Sequence, residues 1–145
     1  MKTQAQLDRA ADLRMQRVYG RDLAWYEHQF EVQGFGCAVC HEGPKTRRLH
    51  VDHDHRYRYV KIDTKKINKG YWVGAASYNN ILFTGTGKTK SEVIQKIKQE
   101  LKEASVRGLL CHRCNRALIL LKDNTEILEK AAEYLRKFQA PQEAV

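Results

Sequence analysis

The sequence of 145 residues contains only two prolines and nine glycines, which excludes collagen-like and Pro-rich disordered chains. It also lacks a long hydrophobic run. The longest uncharged apolar stretch, residues 117–121, is far shorter than the roughly 20 residues that span a bilayer. Residues 1–9 lack the apolar stretch that is typical of a secretion signal. We therefore expect a soluble, intracellular protein with no membrane partner.

Acidic residues are scarce relative to basic ones, at 17 against 26, which gives a net charge of +9. The segment 56–105 contains 11 of the basic residues but only four of the acidic ones. Such a balance indicates a polyanionic partner, because neutralising phosphates releases counterions and favours binding. A basic protein without such a partner is the alternative.

The four cysteines form two C-x-x-C pairs, Cys37 with Cys40 and Cys111 with Cys114. In a chain without a secretion signal, paired motifs of this kind predict tetrahedral zinc before disulfides. A redox pair is the alternative for either motif alone. Seventy residues separate the two pairs, against about 15 to 20 in zinc ribbons, and removing residues 56–105 leaves 20. Charge and cysteine spacing therefore both indicate that this segment is an insertion.

Hydrophobic periodicity predicts an α+β fold. Residues 4–33 are expected to be helical with a break at Gly20, and a strand is expected over 47–54. The insert is predicted to contain strands at 57–62, 70–77 and 81–84, followed by a helix to 104. Two more helices are predicted, one ending near 121 and one ending near 135. The last is expected to turn Ile127, Leu128, Ala131, Tyr134 and Leu135 inward.

The segment 50–55 holds three histidines and two carboxylates in six residues. In a regular strand His50, Asp52 and Asp54 would share one face and His53 and His55 the other, whereas a bend would bring both sets together. Imidazole suits general-base chemistry, and carboxylate oxygens suit Mg²⁺ or Mn²⁺. The alternatives are a solvated polar turn and additional zinc ligands.

Asn115 directly follows the last cysteine, where a rigid zinc knuckle would fix its position. Its amide oxygen could complete a hard-ion site with Asp52, although a residue in this position alone would more often be a helix cap. Arg107 and Arg113 are candidates for phosphate contacts, with surface solvation as the alternative.

The chain contains C-x-x-C at 37–40, V-D-H-D-H at 51–55 and V-R-G-L-L-C-H-R-C-N at 106–115. Together with Q-G-F-G-C at 33–37, these motifs resemble the phage recombination endonuclease VII family of the HNH or ββα-metal nucleases. The resemblance implies a zinc-stapled ββα-metal (His-Me finger) core flanked by helices. It also implies a location in the cytoplasm of a bacterial cell or of a phage-infected host.

By matched position, the resemblance assigns roles to individual residues. It implies one structural zinc ion per chain, bound by Cys37, Cys40, Cys111 and Cys114. It implies a catalytic Mg²⁺ or Mn²⁺ bound by Asp52 and Asn115. His53 would be the general base that activates water. His50 and His55 would assist, either by orienting the scissile phosphate or by helping to hold the metal.

Usual family members have only a short hairpin in place of the insert, which is similar to the plant ethylene-response-factor type of DNA-binding domain. We expect it to hold duplex DNA through its sheet, and the candidate contacts are Arg58, Lys61, Lys69, Tyr71 and Trp72. The alternative is that the insert is a basic segment with a purely structural role. The predicted domains are an N-terminal helical segment at 1–35, a nuclease core at 36–55 and 106–122, the insert at 56–105, and a C-terminal helix and tail at 123–145.

The sequence thus predicts a metal-dependent DNA endonuclease that hydrolyses phosphodiester bonds in branched, Holliday-junction-like DNA or in duplex DNA. The resemblance also favours a homodimer, and the amphipathic helices at both ends could supply the interface. The alternative from another class is a non-catalytic zinc-ribbon DNA-binding or regulatory protein. A redox protein is a third hypothesis.

Overall fold

The computed structural model describes residues 3–45, 47–68 and 70–139, which form five α-helices and five strands. In chain order the elements are α1 Gln4–Tyr19, α2 Leu23–Val32, β1 His50–His53, a 3₁₀ helix His55–Tyr59, β2 Asp63–Asn68, β3 Tyr71–Tyr78, β4 Ile81–Gly87, α3 Lys90–Ala104, β5 Val106–Leu110, α4 His112–Leu120 and α5 Thr125–Arg136. Strands β1 and β5 pair antiparallel, and β2, β3 and β4 form a separate antiparallel sheet. The predicted α+β class is confirmed.

The two N-terminal helices break at the predicted residue. Gly20 adopts φ 69° and ends α1, and the Asp22 carboxylate accepts from the Trp25 N–H and caps α2. A side chain at Gly20 would also meet the inserted helix, because a Cβ there would lie 2.6 Å from Cγ of Glu103. Glycine therefore serves both the left-handed conformation and the close approach of α3.

One hydrophobic cluster surrounds the β1–β5 pair. Its buried members come from α2, the first cysteine turn, both strands and the residue before β1, and they are Tyr26, Cys37, Leu49, Val51, Leu109 and Leu110. The Gln33 side chain accepts from the Leu109 N–H at 2.9 Å and donates to the carbonyl oxygens of Leu109 and Gly36. This amide ties the end of α2 to the cysteine turn and to β5, which fixes the position of the strand pair.

A second hydrophobic cluster lies within the insert, where α3 packs on one face of the three-stranded sheet. Its buried members are Ala76, Tyr78, Val93, Ile97 and Leu101. The helix lies so close to β3 that a Cβ on Gly74 would be 2.6 Å from the Val93 side chain. The predicted three strands and one helix are therefore present, with their own core.

The first strand of the insert is not where the periodicity predicts it. Residues 57–62 do not form a strand, because the Asp54 carboxylate accepts from the Arg56 N–H and caps a 3₁₀ helix instead. The first strand is Asp63–Asn68, whose sequence is mostly polar. The strand predicted over 47–54 is also shorter and covers only His50–His53.

The apolar face of α5 is exposed, which contradicts the prediction that it points inward. The helix buries no residue, and Ile127, Tyr134 and Leu135 are 43%, 61% and 57% exposed. Nothing in the described part of the chain buries this face. Within the same residues, no helix has the length and apolar character needed to cross a membrane.

Candidate active site and cysteine metal centre

The two cysteine pairs come together, as the spacing predicts. The four sulfur atoms, from Cys37, Cys40, Cys111 and Cys114, all lie within 4.8 Å of one another, and the Cys40 and Cys111 sulfurs are 3.8 Å apart. A tetrahedral site with zinc–sulfur bonds of about 2.3 Å has edges of about 3.8 Å. The tetrad can therefore hold a structural metal ion, and zinc fits its donor chemistry.

The electrostatics of the tetrad favour a bound cation. Burial raises the pKa of the Cys37 thiol, but hydrogen bonds from backbone groups of Cys40 and Cys111 outweigh it and lower the value to about 6. Burial and the neighbouring sulfurs raise the pKa of Cys114 instead. Four packed sulfurs cannot all carry charge without a counter-ion, whereas a bound dication stabilises all of the thiolates together.

The histidine segment bends in the way that brings its two faces together. Strand β1 pairs with β5 in register from His50 to Asp52, and the register shifts between Asp52 and His53. The ring centroids of His53 and His55 are 4.3 Å apart. A cleft of about 90 Å³ is lined by side chains from both faces, among them His50, Asp52, His53, His55 and Asn115. The bulge thus lets alternate residues of one strand face the same cleft.

His53 is half-buried in this cleft with one ring nitrogen unused. The Tyr19 ring packs edge-on against it, with centroids 5.2 Å apart. Its Nε2 atom is buried and has no hydrogen-bond partner among the described residues. Burial and the positive charges of His55 and Arg58 lower the pKa of His53. The ring is therefore favoured in its neutral form, with a nitrogen that can accept a proton.

Both carboxylate oxygens of Asp52 are bound by Arg107. The guanidinium donates from Nε to Oδ2 at 2.7 Å and from a terminal nitrogen to Oδ1 at 2.9 Å. The same terminal nitrogen donates to Asp123 at 3.2 Å, and the other oxygen of Asp123 is buried without a partner in the described residues. The predicted phosphate contact Arg107 is thus held between two carboxylates.

Asn115 lies in the first turns of α4, as the sequence predicts. Cys111 caps this helix by accepting from the Cys114 N–H, and the Asn115 N–H donates to the Cys111 carbonyl at 3.0 Å. The cysteine turn therefore positions Asn115, whose side chain lines the same cleft as Asp52. Among the described residues, only the cysteine tetrad brings three or more His, Cys, Asp or Glu ligands close enough to share an ion.

Asp54 turns away from the cleft and holds the start of the insert. Its side chain is buried and accepts three side-chain hydrogen bonds from Arg56, the shortest at 2.6 Å. Its N–H donates to the Ser105 carbonyl at the opposite end of the insert. Hydrogen bonding from Arg56 lowers the pKa of Asp54. Asp54 thus joins the two ends of the insert rather than contributing to the cleft.

The predicted DNA contacts of the insert do not share one surface. Tyr71 is 53% exposed, but Trp72 points to the other side of β3 and packs against the cluster under α3. Trp72 and Tyr71 therefore lie on different faces of β3, and the assignment of Trp72 as a DNA contact stays a prediction. Arg58 and Lys61 are exposed, and Lys61 pairs with Asp63 at 3.0 Å. The predicted contact Lys69 lies outside the described residues.

A basic groove next to the cleft was not predicted. It has a volume of about 680 Å³, and its walls include Lys45, Arg47, Arg48 and His112. His50 lines both this groove and the cleft, so the two adjoin at this side chain. The signal in the sequence is three cations within the four residues 45–48. The predicted phosphate contact Arg113 also lines the groove, where it pairs with Glu42 at 2.7 Å.

The structure thus combines a cysteine tetrad that can hold a metal ion with a cleft lined by imidazole and carboxylate side chains. A comparison with protein-family models matches recombination endonuclease VII over residues 12–137. The chain belongs to this family, which supports a nuclease that acts on branched DNA. Searches of curated proteins and of solved structures each found no significant match.

Proposed function

We propose that the protein is a metal-dependent endonuclease of the HNH or ββα-metal type that hydrolyses phosphodiester bonds in branched, Holliday-junction-like DNA. The observation that carries this proposal is the buried, unpartnered Nε2 of His53 in a cleft also lined by Asp52 and Asn115. The order β1, β5, α4 supports a ββα-metal core, because it brings Asp52 and His53 of β1 and Asn115 of α4 to one cleft.

His53 acts as the general base in this proposal. Its lowered pKa favours a neutral imidazole near pH 7, and the free Nε2 can take a proton from the attacking water. The rings of Tyr19 and His55 hold it in place. His50 and His55 are exposed at the cleft, where they would orient the scissile phosphate or help to hold the metal.

Asp52 and Asn115 would hold a catalytic Mg²⁺ or Mn²⁺, since carboxylate and amide oxygens are the donors that such hard ions prefer. The cation would supply charge stabilisation at the leaving oxygen. The bidentate contact from Arg107 to Asp52 competes with such an ion for the same oxygens. That contact is also the one observation that favours the alternative, a non-catalytic zinc-containing DNA-binding protein in which Asp52 is purely structural.

DNA would cross the cleft between two basic surfaces. On one side lies the groove that contains Arg47 and Arg48, and on the other lies the insert, whose open sheet face carries the exposed Tyr71. The insert, residues 56–105, would grip duplex DNA with the sheet face that α3 leaves open. One structural zinc ion per chain would hold the two cysteine turns, and with them β5 and Asn115, in position.

We further propose that the active form is a homodimer. The apolar face of α5 is uncovered in the single chain, and Phe138 beyond the helix is 75% exposed. A second copy would bury this face and bring two clefts to the two strands that a junction presents. In sedimentation analysis, Leu135→Asp should shift the protein to a monomer with its zinc content unchanged, and a monomeric wild type would contradict the dimer.

The nuclease proposal is tested by incubating a labelled four-way junction with the zinc-loaded protein and Mg²⁺. His53→Ala should lower the cleavage rate by about 10²- to 10⁴-fold while leaving junction binding without Mg²⁺ unchanged. His28→Ala is the matched control, because His28 is an exposed histidine of α2 outside the cleft. A wild type that cuts no junction with Mg²⁺ or Mn²⁺, or a His53→Ala variant as active as the wild type, would contradict the proposal.

A further inference from the structure

A second groove lies between the 3₁₀ helix and α3, on the side of the insert away from its open sheet face. Its volume is about 460 Å³, within the roughly 300–1,000 Å³ of small-ligand sites. Its floor is apolar and is formed by Val60, Ile62 and Leu101, with the Tyr57 side chain as one wall. These side chains belong to the hydrophobic cluster of the insert or pack against it, so core packing holds the floor in place.

The rim of this groove is positively charged. Of the residues that the structure describes, Arg58, Lys98 and Lys102 line it, and no acidic residue does. Among the described residues, Lys102 donates only to neutral oxygens, the Arg17 carbonyl at 3.2 Å and the Gln99 amide at 3.0 Å. None of the three cations forms an ion pair with a carboxylate of the described residues. An anionic occupant would therefore meet charge that nothing in this part of the chain neutralises.

The groove adjoins the candidate active site through a shared aromatic wall. The Tyr57 ring centroid is 6.4 Å from that of His53, and the Arg58 guanidinium lies 5.7 Å from the centroid of the same Tyr57 ring. A DNA strand whose phosphate lies at His53 would thus have its neighbouring nucleotide within reach of the groove.

We propose that this groove binds an unpaired nucleotide next to the phosphate that the enzyme cuts, an inference that rests on the proposed nuclease function. A base would lie on the apolar floor against Tyr57, and its phosphate would contact Arg58 and Lys98. Stacking on an aromatic ring beside cations is the general mode of single-strand binding. A base paired in plain duplex stays in its stack and cannot enter, so the groove would favour branched over unbranched DNA.

Affinity for two probes tests this inference. Zinc-loaded protein without added divalent metal ion is titrated with a four-way junction that has two unpaired nucleotides at its branch point, and with plain duplex of the same sequence. Lys98→Ala and Tyr57→Leu should each lower junction affinity by roughly five- to tenfold and change duplex affinity little. Lys98→Arg should restore most of the junction affinity, because it keeps the positive charge.

Lys90→Ala is the matched control, since it removes one exposed charge from the same helix outside the groove. The inference is wrong if Lys98→Ala and Lys90→Ala lower junction affinity equally, or if the groove variants weaken junction and duplex binding by the same factor. Cleavage plays no part in these titrations. A wild type that binds the junction but never cuts it contradicts the proposed function, whereas groove variants that match Lys90→Ala contradict the groove.

Discussion

The region around β1 and β5 differs from the inserted sheet with α3 in the burial and pairing of its charged side chains. Near β1 the carboxylates are buried and held by arginines, Asp52 by Arg107 and Asp54 by Arg56. In the insert the charge is mainly positive and exposed, and Lys98 has no carboxylate partner among the described residues. Buried, paired charge fixes the geometry of a site, whereas exposed, unpaired cations suit contact with a flexible polyanion.

The two regions also differ in what stabilises them. The insert has a helix packed on a sheet, with Val93, Ile97 and Leu101 almost fully buried. The cluster at β1 and β5 is built around a two-stranded sheet, and the cysteine turns on its border have four sulfurs in contact range. A two-stranded pair is marginal in water without further support. We therefore expect a bound metal ion to stabilise the β1–β5 region strongly and the insert little.

The largest expected effect is the loss of folded structure around β1 and β5 when a metal ligand is removed. Cys111→Ser should abolish stoichiometric zinc binding and destabilise the β1–β5 cluster by at least about 3 kcal/mol. Hydrogen exchange should then become fast in β5 and the cysteine turns while α3 and β3 stay protected. Zinc analysis and exchange measured by mass spectrometry provide the two readouts.

Val39→Ser is the matched control, since Val39 lies between the first two cysteines with 56% of its surface exposed. It should keep both zinc and protection. If Cys111→Ser instead removes protection from both regions together, the two hydrophobic clusters form one cooperative unit, and the contrast between them does not hold.

The sequence alone was sufficient for the parts of this molecule that depend on local chemistry. Gly20 marked the helix boundary, and the paired cysteines predicted the metal centre that the geometry allows. The bend at His53 was foreseen only as a possibility, because a β-bulge depends on pairing with β5 and leaves no periodic signal. Membership of the endonuclease VII family was predicted and is confirmed.

Other features depend on partners distant in sequence and could not be read from patterns. The polar strand β2 has almost no hydrophobic alternation, so its pairing with β3 decides its structure. Trp72 and Tyr71 are equally aromatic, and only the position of α3 shows which one is covered. The contact between Arg107 and Asp52 joins residues 55 apart, and charge alone does not distinguish it from a phosphate contact.

Arg107 provides a smaller test, directed at the paired charges. Arg107→Ala should lower the free energy of unfolding by about 1–3 kcal/mol, because it leaves the largely buried Asp52 carboxylate without a partner. Arg113→Ala is the control, since its pair with Glu42 is exposed and should contribute within about 0.5 kcal/mol. Chemical denaturation measures both values.

The same variant addresses the competition between Arg107 and a divalent ion. If Asp52 binds Mg²⁺, added Mg²⁺ should raise the melting temperature of Arg107→Ala more than that of the wild type, because the guanidinium no longer occupies the carboxylate. Equal shifts in the two proteins would argue against Asp52 as a metal ligand while leaving its structural pairing intact.

The smallest expected effect separates the two faces of the inserted sheet. Tyr71→Ala should weaken duplex DNA binding by about fivefold, through loss of an exposed aromatic contact, and leave stability unchanged within about 0.5 kcal/mol. Trp72→Ala, one residue along β3, should instead cost about 2 kcal/mol of stability, because this ring packs against the cluster under α3. Binding titrations and denaturation of both variants check the contrast. If Trp72→Ala weakened DNA binding without loss of stability while Tyr71→Ala had no effect, the DNA would lie on the α3 side, and the open sheet face would not be the duplex-binding surface.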